Sequence, residues 1–243
     1  MKALLSFFTI APVREAPLEE AAREVHLLPL VGIVAGLPGA VLVLSAYFVP
    51  PGVAATLALG AVLVAAGLHH ADGVLDVGDA LMVRGTPERR RAVLKDTRIG
   101  IGGIGGLFLV YAPALAALTS LCSASPARAA LALLAGEVAA RSAMVLTLAF
   151  GKPADAGSSS VPFVRALSGQ RHAAGVALAS LAPLPLLLPI GPLTPLAVLA
   201  APLVTLICLR VAGTAFGGIG GDTVGATGEA CRAMVLVVVS ALI

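Results

Sequence analysis

VAATLALGAVLVAAGLHHADGVLDVGD, residues 53–79, decides how the chain is read. Val53 to Ala71 contains no Asp, Glu, Lys or Arg and approaches the roughly 20 residues that a helix needs to cross a bilayer. Lipid offers the backbone no hydrogen bonds, so an Ala- and Leu-rich run of this kind satisfies its own N–H and C=O groups as a helix. Outward from it, the pattern recurs at Leu27 to Val49, Ile101 to Cys122, Ala127 to Phe150, Ala173 to Ile190, Leu193 to Phe216, and from near Asp222 to Ile243. The expected fold is therefore all-α, a polytopic membrane bundle of about seven transmembrane helices. Hydrophobic residues make up 58% of the 243 and charged residues 12%, with a mean hydropathy of +1.01, a balance that excludes a water-facing surface around the whole chain.

Residues 1–243 read as one membrane domain, with no soluble segment or low-complexity linker. Ala3 to Val13 is short for a span and carries only Lys2 before it, which fits an interfacial segment better than a cleaved signal peptide. Six prolines between Pro183 and Pro202 leave that hairpin open between spanning and re-entrant geometry. Cys122, Cys208 and Cys231 are odd in number and set in apolar surroundings, so they read as packing thiols.

Charge sets the orientation. Threading the spans alternately puts Lys2, Arg14, Arg23, Arg84, Arg89 to Arg91, Lys95, Arg98, Lys152, Arg165 and Arg171 on one side, with Arg128 near an opposite end. Lys and Arg gather on the cytoplasmic side, so the amino terminus and both long loops are expected there, in the cell's inner (cytoplasmic) membrane. The formal charge of +3 follows from that topology and calls for no nucleic-acid partner; the chain contacts membrane lipid, and a homo-oligomer is left open.

Chemistry concentrates where the second span ends. On a continuing helix Asp72, Asp76 and Asp79 fall at i, i+4 and i+7 and share a face, with no Lys or Arg between them. Stacked carboxylates repel, and an all-oxygen ligand set favours Mg²⁺ or Mn²⁺ as the neutraliser. His69 and His70, one turn earlier, are each open as base, ligand or helix-end polar group. Arg89 to Arg91 fit a basic anchor at anionic head groups, whereas Lys95 and Arg98 lie next to Gly100, where phosphate oxygens could meet both side chains and the opening turn of a helix. Glu137 and Arg141 are i, i+4 partners inside an apolar run, a structural or a functional ion pair. Asp222 and Glu229 share a face of the last span and could complete a metal site with the first cluster. The glycines at 100–106 and 217–221 serve either close helix approach or phosphate contact. His26 and His172 read as surface residues.

Taken together these residues resemble the cobalamin synthase family, membrane adenosylcobinamide-GDP ribazoletransferases of cobamide synthesis. The likeness runs along nearly the whole chain: Pro29-Leu30-Val31-Gly32 with Gly36, Leu68-His69, Asp72-Gly73 to Asp79, Lys95-Asp96-Thr97-Arg98-Ile99-Gly100, Glu137 with Arg141, and Gly217-Gly218 leading to Gly221-Asp222 and Gly225-Ala226. Departures are Thr9-Ile10-Ala11-Pro12, which lacks the family's usual arginine, one extra residue between histidine and aspartate, Ala80 after the third aspartate and Gly220 before Gly221. The resemblance implies transfer of cobinamide phosphate from adenosylcobinamide-GDP to α-ribazole or its 5′-phosphate, with GMP leaving. It implies Mg²⁺ held by Asp72, Asp76 and Asp79, with Asp222 completing the shell, catalysis among these aspartates and His69 or His70, and substrate contacts at Lys95, Asp96, Arg98, Gly100, Glu137, Arg141 and Gly221. Two other readings compete. A CDP-alcohol phosphotransferase would need Ala-Arg after Asp72-Gly73, where Val74-Leu75 stands; a cation-coupled transporter would place its acids near the bilayer midplane.

Overall fold

Proline, serine and glycine set the helix boundaries. The computed structural model describes residues 1–243, all helix and loop apart from one isolated bridge between Pro153 and Ile219. Short α1 (Lys2–Phe8) and α2 (Leu18–Glu24) precede α3 (Leu28–Val43), α4 (Pro51–Ala65), α5 (His69–Met82) and α6 (Pro87–Val93). Next come α7 (Ile101–Ala124) and α8 (Pro126–Phe150), joined through Ser125 alone, whose side chain accepts from the Arg128 N–H at 3.4 Å while Pro126 takes the first helical position. The second half holds α9 (Val161–Ala166), α10 (Gly169–Leu181), α11 (Leu184–Leu187), α12 (Ala200–Phe216) and α13 (Gly221–Ala241).

Helix α8 is the axis of the bundle, buried on all sides from Ala135 to Leu148 and wrapped by α3, α10, α12 and α13. Glycine lets α3 lie against it: a Cβ on Gly32 would stand 2.6 Å from the Glu137 carbonyl oxygen and 2.7 Å from the Val138 Cα. The outward faces carry exposed Val41, Leu57, Phe108 and Leu109, an apolar exterior that only lipid can solvate. The chain is a multi-pass membrane protein.

The span count differs from the expected seven. Five helical stretches are long and apolar enough to cross, and α4 with α5 makes a sixth if taken together as one broken span. Ala173 to Ile190 does not form a span: α10 has 13 residues, about 20 Å of helix against a hydrocarbon core of about 30 Å. The chain then breaks at Pro183 and Pro185 into the four residues of α11, since proline lacks the N–H and crowds the preceding turn.

The acidic helix is not a continuation of the second span either. Gly67 (φ 69°) and Leu68 (φ 62°) both take left-handed backbone, and α5 leaves α4 at 94°. A left-handed leucine costs about 1–2 kcal/mol, so packing on both sides holds this bend. Asp72, Asp76 and Asp79 still share one helix, which runs across the end of the bundle and outside the five spanning stretches.

Candidate functional site

Helices α5 and α13 cross at Gly73, where a Cβ would lie 2.7 Å from the backbone oxygen of Asp222. Glycine there lets Asp222, in the first turn of α13, approach the acids of α5. Asp72 is exposed and Asp76 and Asp222 are half-buried, and none of the three pairs with a Lys, Arg or His. Burial, followed by the charges of Asp72, Asp222 and Asp79, pushes the Asp76 carboxyl up to about 6. Asp79 has a different task. Its two oxygens accept from the N–H groups of Gly100 (2.7 Å) and Gly103 (2.8 Å), closing the open start of α7. Gly100 therefore gives its N–H to Asp79, not to a phosphate. No three His, Cys, Asp or Glu groups converge closely enough to coordinate a metal as they stand. The donor chemistry of Asp72, Asp76 and Asp222, hard oxygens with uncompensated repulsion, nevertheless fits a divalent cation.

Cations stand opposite. Arg91 of α6 donates through Nη1 to the Phe216 carbonyl at 2.6 Å, tying α6 to the end of α12, which stops at left-handed Gly217 (φ 77°). Arg91 and Lys95 line a cavity of about 260 Å³ with Ser158, Ser159, Gly221 and Asp222. Arg91, read as part of an anchor, thus belongs to the site wall. Arg98 does not line this cavity: it is 87% exposed and forks onto Asp96, Nε to Oδ1 at 3.1 Å and Nη2 to Oδ2 at 2.7 Å. Those hydrogen bonds hold the Asp96 carboxyl down at about 2.

Ser158 to Ser160 escaped the sequence reading because a short serine run in a loop carries no helical period and no charge. The loop is sewn onto the 217–220 turn: Ile219 N–H donates to Lys152 O (2.8 Å), Ala154 N–H to Ile219 O (3.0 Å), and the hydroxyls of Ser158 and Ser160 to Ile219 O (3.3 Å each). Ser159 is left facing Gly221, where a Cβ would come within 2.6 Å of its Oγ. A second cavity, about 410 Å³, opens on the other side of Ser159, Gly221 and Asp222; His69, His70 and the rings of Phe7, Phe8 and Phe163 line it. The amino-terminal segment, expected at the interface, folds as α1 and supplies part of that wall.

Behind the site lies a buried ion cluster. Glu137 accepts from Arg141 (2.5 Å) and from Arg232 (2.7 Å), Arg232 also pairs with Glu229, and Glu229 accepts from the Tyr111 hydroxyl (2.8 Å). Glu229 is thereby committed away from the Asp72 cluster, contrary to its reading as a further metal ligand. Glu137 and Arg141 are partners, as their spacing predicts, but the balance needs Arg232, whose only trace in sequence is a lone basic residue three positions after Glu229 in the last apolar run. The structure separates the two histidines. His69 is exposed, while His70 is buried with Nδ1 4.0 Å from Glu229. Burial, then the charges of Arg141 and Arg232, drives the His70 imidazole well below its usual range, so it is neutral.

Fold and site together define a helical, multi-pass membrane protein with carboxylates, cations and two cavities gathered at one end of α5 and α13. The sequence matches the cobalamin-5-phosphate synthase family model over residues 1–240, and the chain belongs to that family, the one its motifs resemble. It is 29% identical over 242 residues to the adenosylcobinamide-GDP ribazoletransferase of Methanosarcina barkeri, covering 93% of this chain and 85% of that one. The relative of the same name from Methanococcoides burtonii is 29% identical over 234 residues with the same coverage. One from Saccharolobus solfataricus is 40% identical over 121 residues, about half of each chain (49% and 48%). No solved structure matches.

Proposed function

We propose that this protein is a membrane transferase that moves the cobinamide-phosphate group of adenosylcobinamide-GDP onto a hydroxyl of α-ribazole, or of its 5′-phosphate, in the last steps of cobamide biosynthesis. The observation that carries this reading is the meeting of the two cavities at Asp222, a carboxylate with no Lys, Arg or His partner, with Arg91 and Lys95 lining the polar cavity. Phosphoryl transfer needs little from a protein beyond positioning and charge. Arg91 and Lys95 hold diphosphate oxygens in the polar cavity, next to the N–H groups at the start of α13. The acceptor enters from the aromatic side; its oxygen bonds to the phosphorus nearest cobinamide, the bond to the GMP oxygen breaks, and the hydroxyl proton passes to Asp222 or His69, which line that side. Asp72, Asp76 and Asp222 would hold Mg²⁺, which when bound neutralises diphosphate charge and stabilises the leaving group. The site faces the cytoplasm of the inner membrane.

The assay is direct: purified protein in detergent with Mg²⁺, adenosylcobinamide-GDP and α-ribazole, followed chromatographically for cobamide and GMP. Absence of both products under conditions where the protein stays folded overturns the reading. The phosphate role has its own test. Lys95→Ala lowers the transfer rate tenfold or more, each tenfold being about 1.4 kcal/mol of barrier. Arg98→Lys, on a side chain already forked onto Asp96, changes it less than threefold; the reverse order would move the phosphate contact to Arg98. For orientation, a cysteine introduced at exposed Thr86 is labelled by a membrane-impermeant thiol reagent only after cells are permeabilised. Labelling of intact cells would invert the topology.

A further inference from the structure

The 410 Å³ cavity has a composition that its neighbour lacks. Three phenylalanine rings from two separate helices converge on it: Phe7 and Phe163 at 5.5 Å between centroids, Phe8 and Phe163 at 5.9 Å, with His70 6.1 Å from Phe8. Its volume lies within the range of small-molecule sites. The polar cavity already holds the cations that a diphosphate requires, so the aromatic one is available to the other substrate.

We infer that the aromatic cavity holds the base of the acceptor nucleoside, a planar bicyclic heterocycle with an apolar edge, stacked among Phe7, Phe8 and Phe163. This rests on the proposed reaction and assigns its second substrate a place. Three features of the cavity select that occupant. Aromatic faces stack on any π-system, whereas reading guanine would call for amide or carboxylate groups along its hydrogen-bonding edge; the lining offers no Asn, Gln or Glu, and its one carboxylate, Asp222, stands on the wall shared with the polar cavity, where the proposed reaction uses it at the diphosphate. A corrinoid macrocycle with its amide arms exceeds the space. The shared wall of Ser159, Gly221 and Asp222 places a ribose attached to that base beside the carboxylates, where its hydroxyl must meet the diphosphate.

The test is equilibrium binding of α-ribazole to the full chain in detergent, by titration calorimetry, for wild type, Phe7→Ala and Phe163→Leu. Phe7 is 44% exposed on a short surface helix, so its removal leaves the fold intact; Phe163 is buried, and retained GMP binding serves as its folding control. Both variants bind α-ribazole at least fivefold more weakly, the lower end of the loss on truncating a stacking aromatic. GMP affinity is unchanged, and in the transfer assay the KM for α-ribazole rises while that for adenosylcobinamide-GDP does not. If the wild type transfers but neither variant alters α-ribazole binding or its KM, the subsite falls and the reaction stands. If α-ribazole binds in a Phe7-dependent manner while no transfer occurs, the subsite stands and the proposed reaction falls. Displacement of an acyl chain by detergent washing, with no binding of α-ribazole at all, would mark the cavity as a lipid seat and overturn the inference.

Discussion

Asp222→Asn lowers the transfer rate at least a hundredfold, about 2.7 kcal/mol of barrier, while the protein still inserts and purifies as a monodisperse species. The size follows from position. Asp222 is the one acidic side chain that lines both cavities, and it stands beside Asp72 and Asp76 with no cationic partner among the protein's own groups. An amide of the same shape keeps the packing at Gly73, because that contact is made by the Asp222 backbone. What it removes is negative charge, and with it the affinity of the cluster for a divalent cation. Asp72→Asn gives a comparable loss. The check beyond turnover is Mn²⁺ binding read by electron paramagnetic resonance: wild type binds the ion and both variants bind it at least tenfold more weakly. Near-normal transfer in both variants would make the cluster structural and remove the metal from the proposed mechanism.

Glu137→Gln produces the largest expected loss of stability, about 3–5 kcal/mol, with little accumulation of folded protein. Glu137, Arg141, Glu229 and Arg232 are all essentially inaccessible to solvent, and they balance as two acids against two bases. Removing Glu137 leaves Arg141 with no anion in contact and Arg232 with only Glu229. An unpaired guanidinium inside the bundle has no water to turn to, and Arg141 Nε and Nη2 already lack acceptors. The sign of the effect can be separated from a role in transfer by a second substitution. Glu137→Gln with Arg141→Met restores charge balance through the surviving Arg232–Glu229 pair and recovers most of the lost stability, measured as thermal unfolding in detergent. A double variant as unstable as the single one would show that the cluster matters by shape and not by charge.

How much of this was legible in the sequence depended on whether local spacing or distant contact carried the information. Apolar runs long enough for a bilayer crossing are a property of consecutive residues, so membrane helices and the acids of α5 sharing one helix could both be read directly. The same holds for Glu137 and Arg141, whose partnership is a matter of i, i+4 geometry. The span count failed where helix breaks depend on packing. Leucine at position 68 carries no turn signal, and its left-handed backbone exists because α5 is held across the bundle end by α7 and α13. Asp79 shows the same limit. By spacing it is the third member of an acidic face, but Gly100 and Gly103 stand 21 and 24 residues away, and only the fold presents their N–H groups to it. Arg91, Ser159 and the rings of Phe7 and Phe163 were invisible as site residues for that reason: each belongs to a different segment, and none bears a local pattern marking a cavity wall. The sequence by itself determined the solvent, the helical class, the family motifs and the identity of the charged groups, because hydropathy and helical period act over one or two turns. Only the tertiary structure decided which charges neutralise one another and which stay unpaired, because a carboxylate's role is set by the groups within a few ångströms of it, and these arrive from distant parts of the chain.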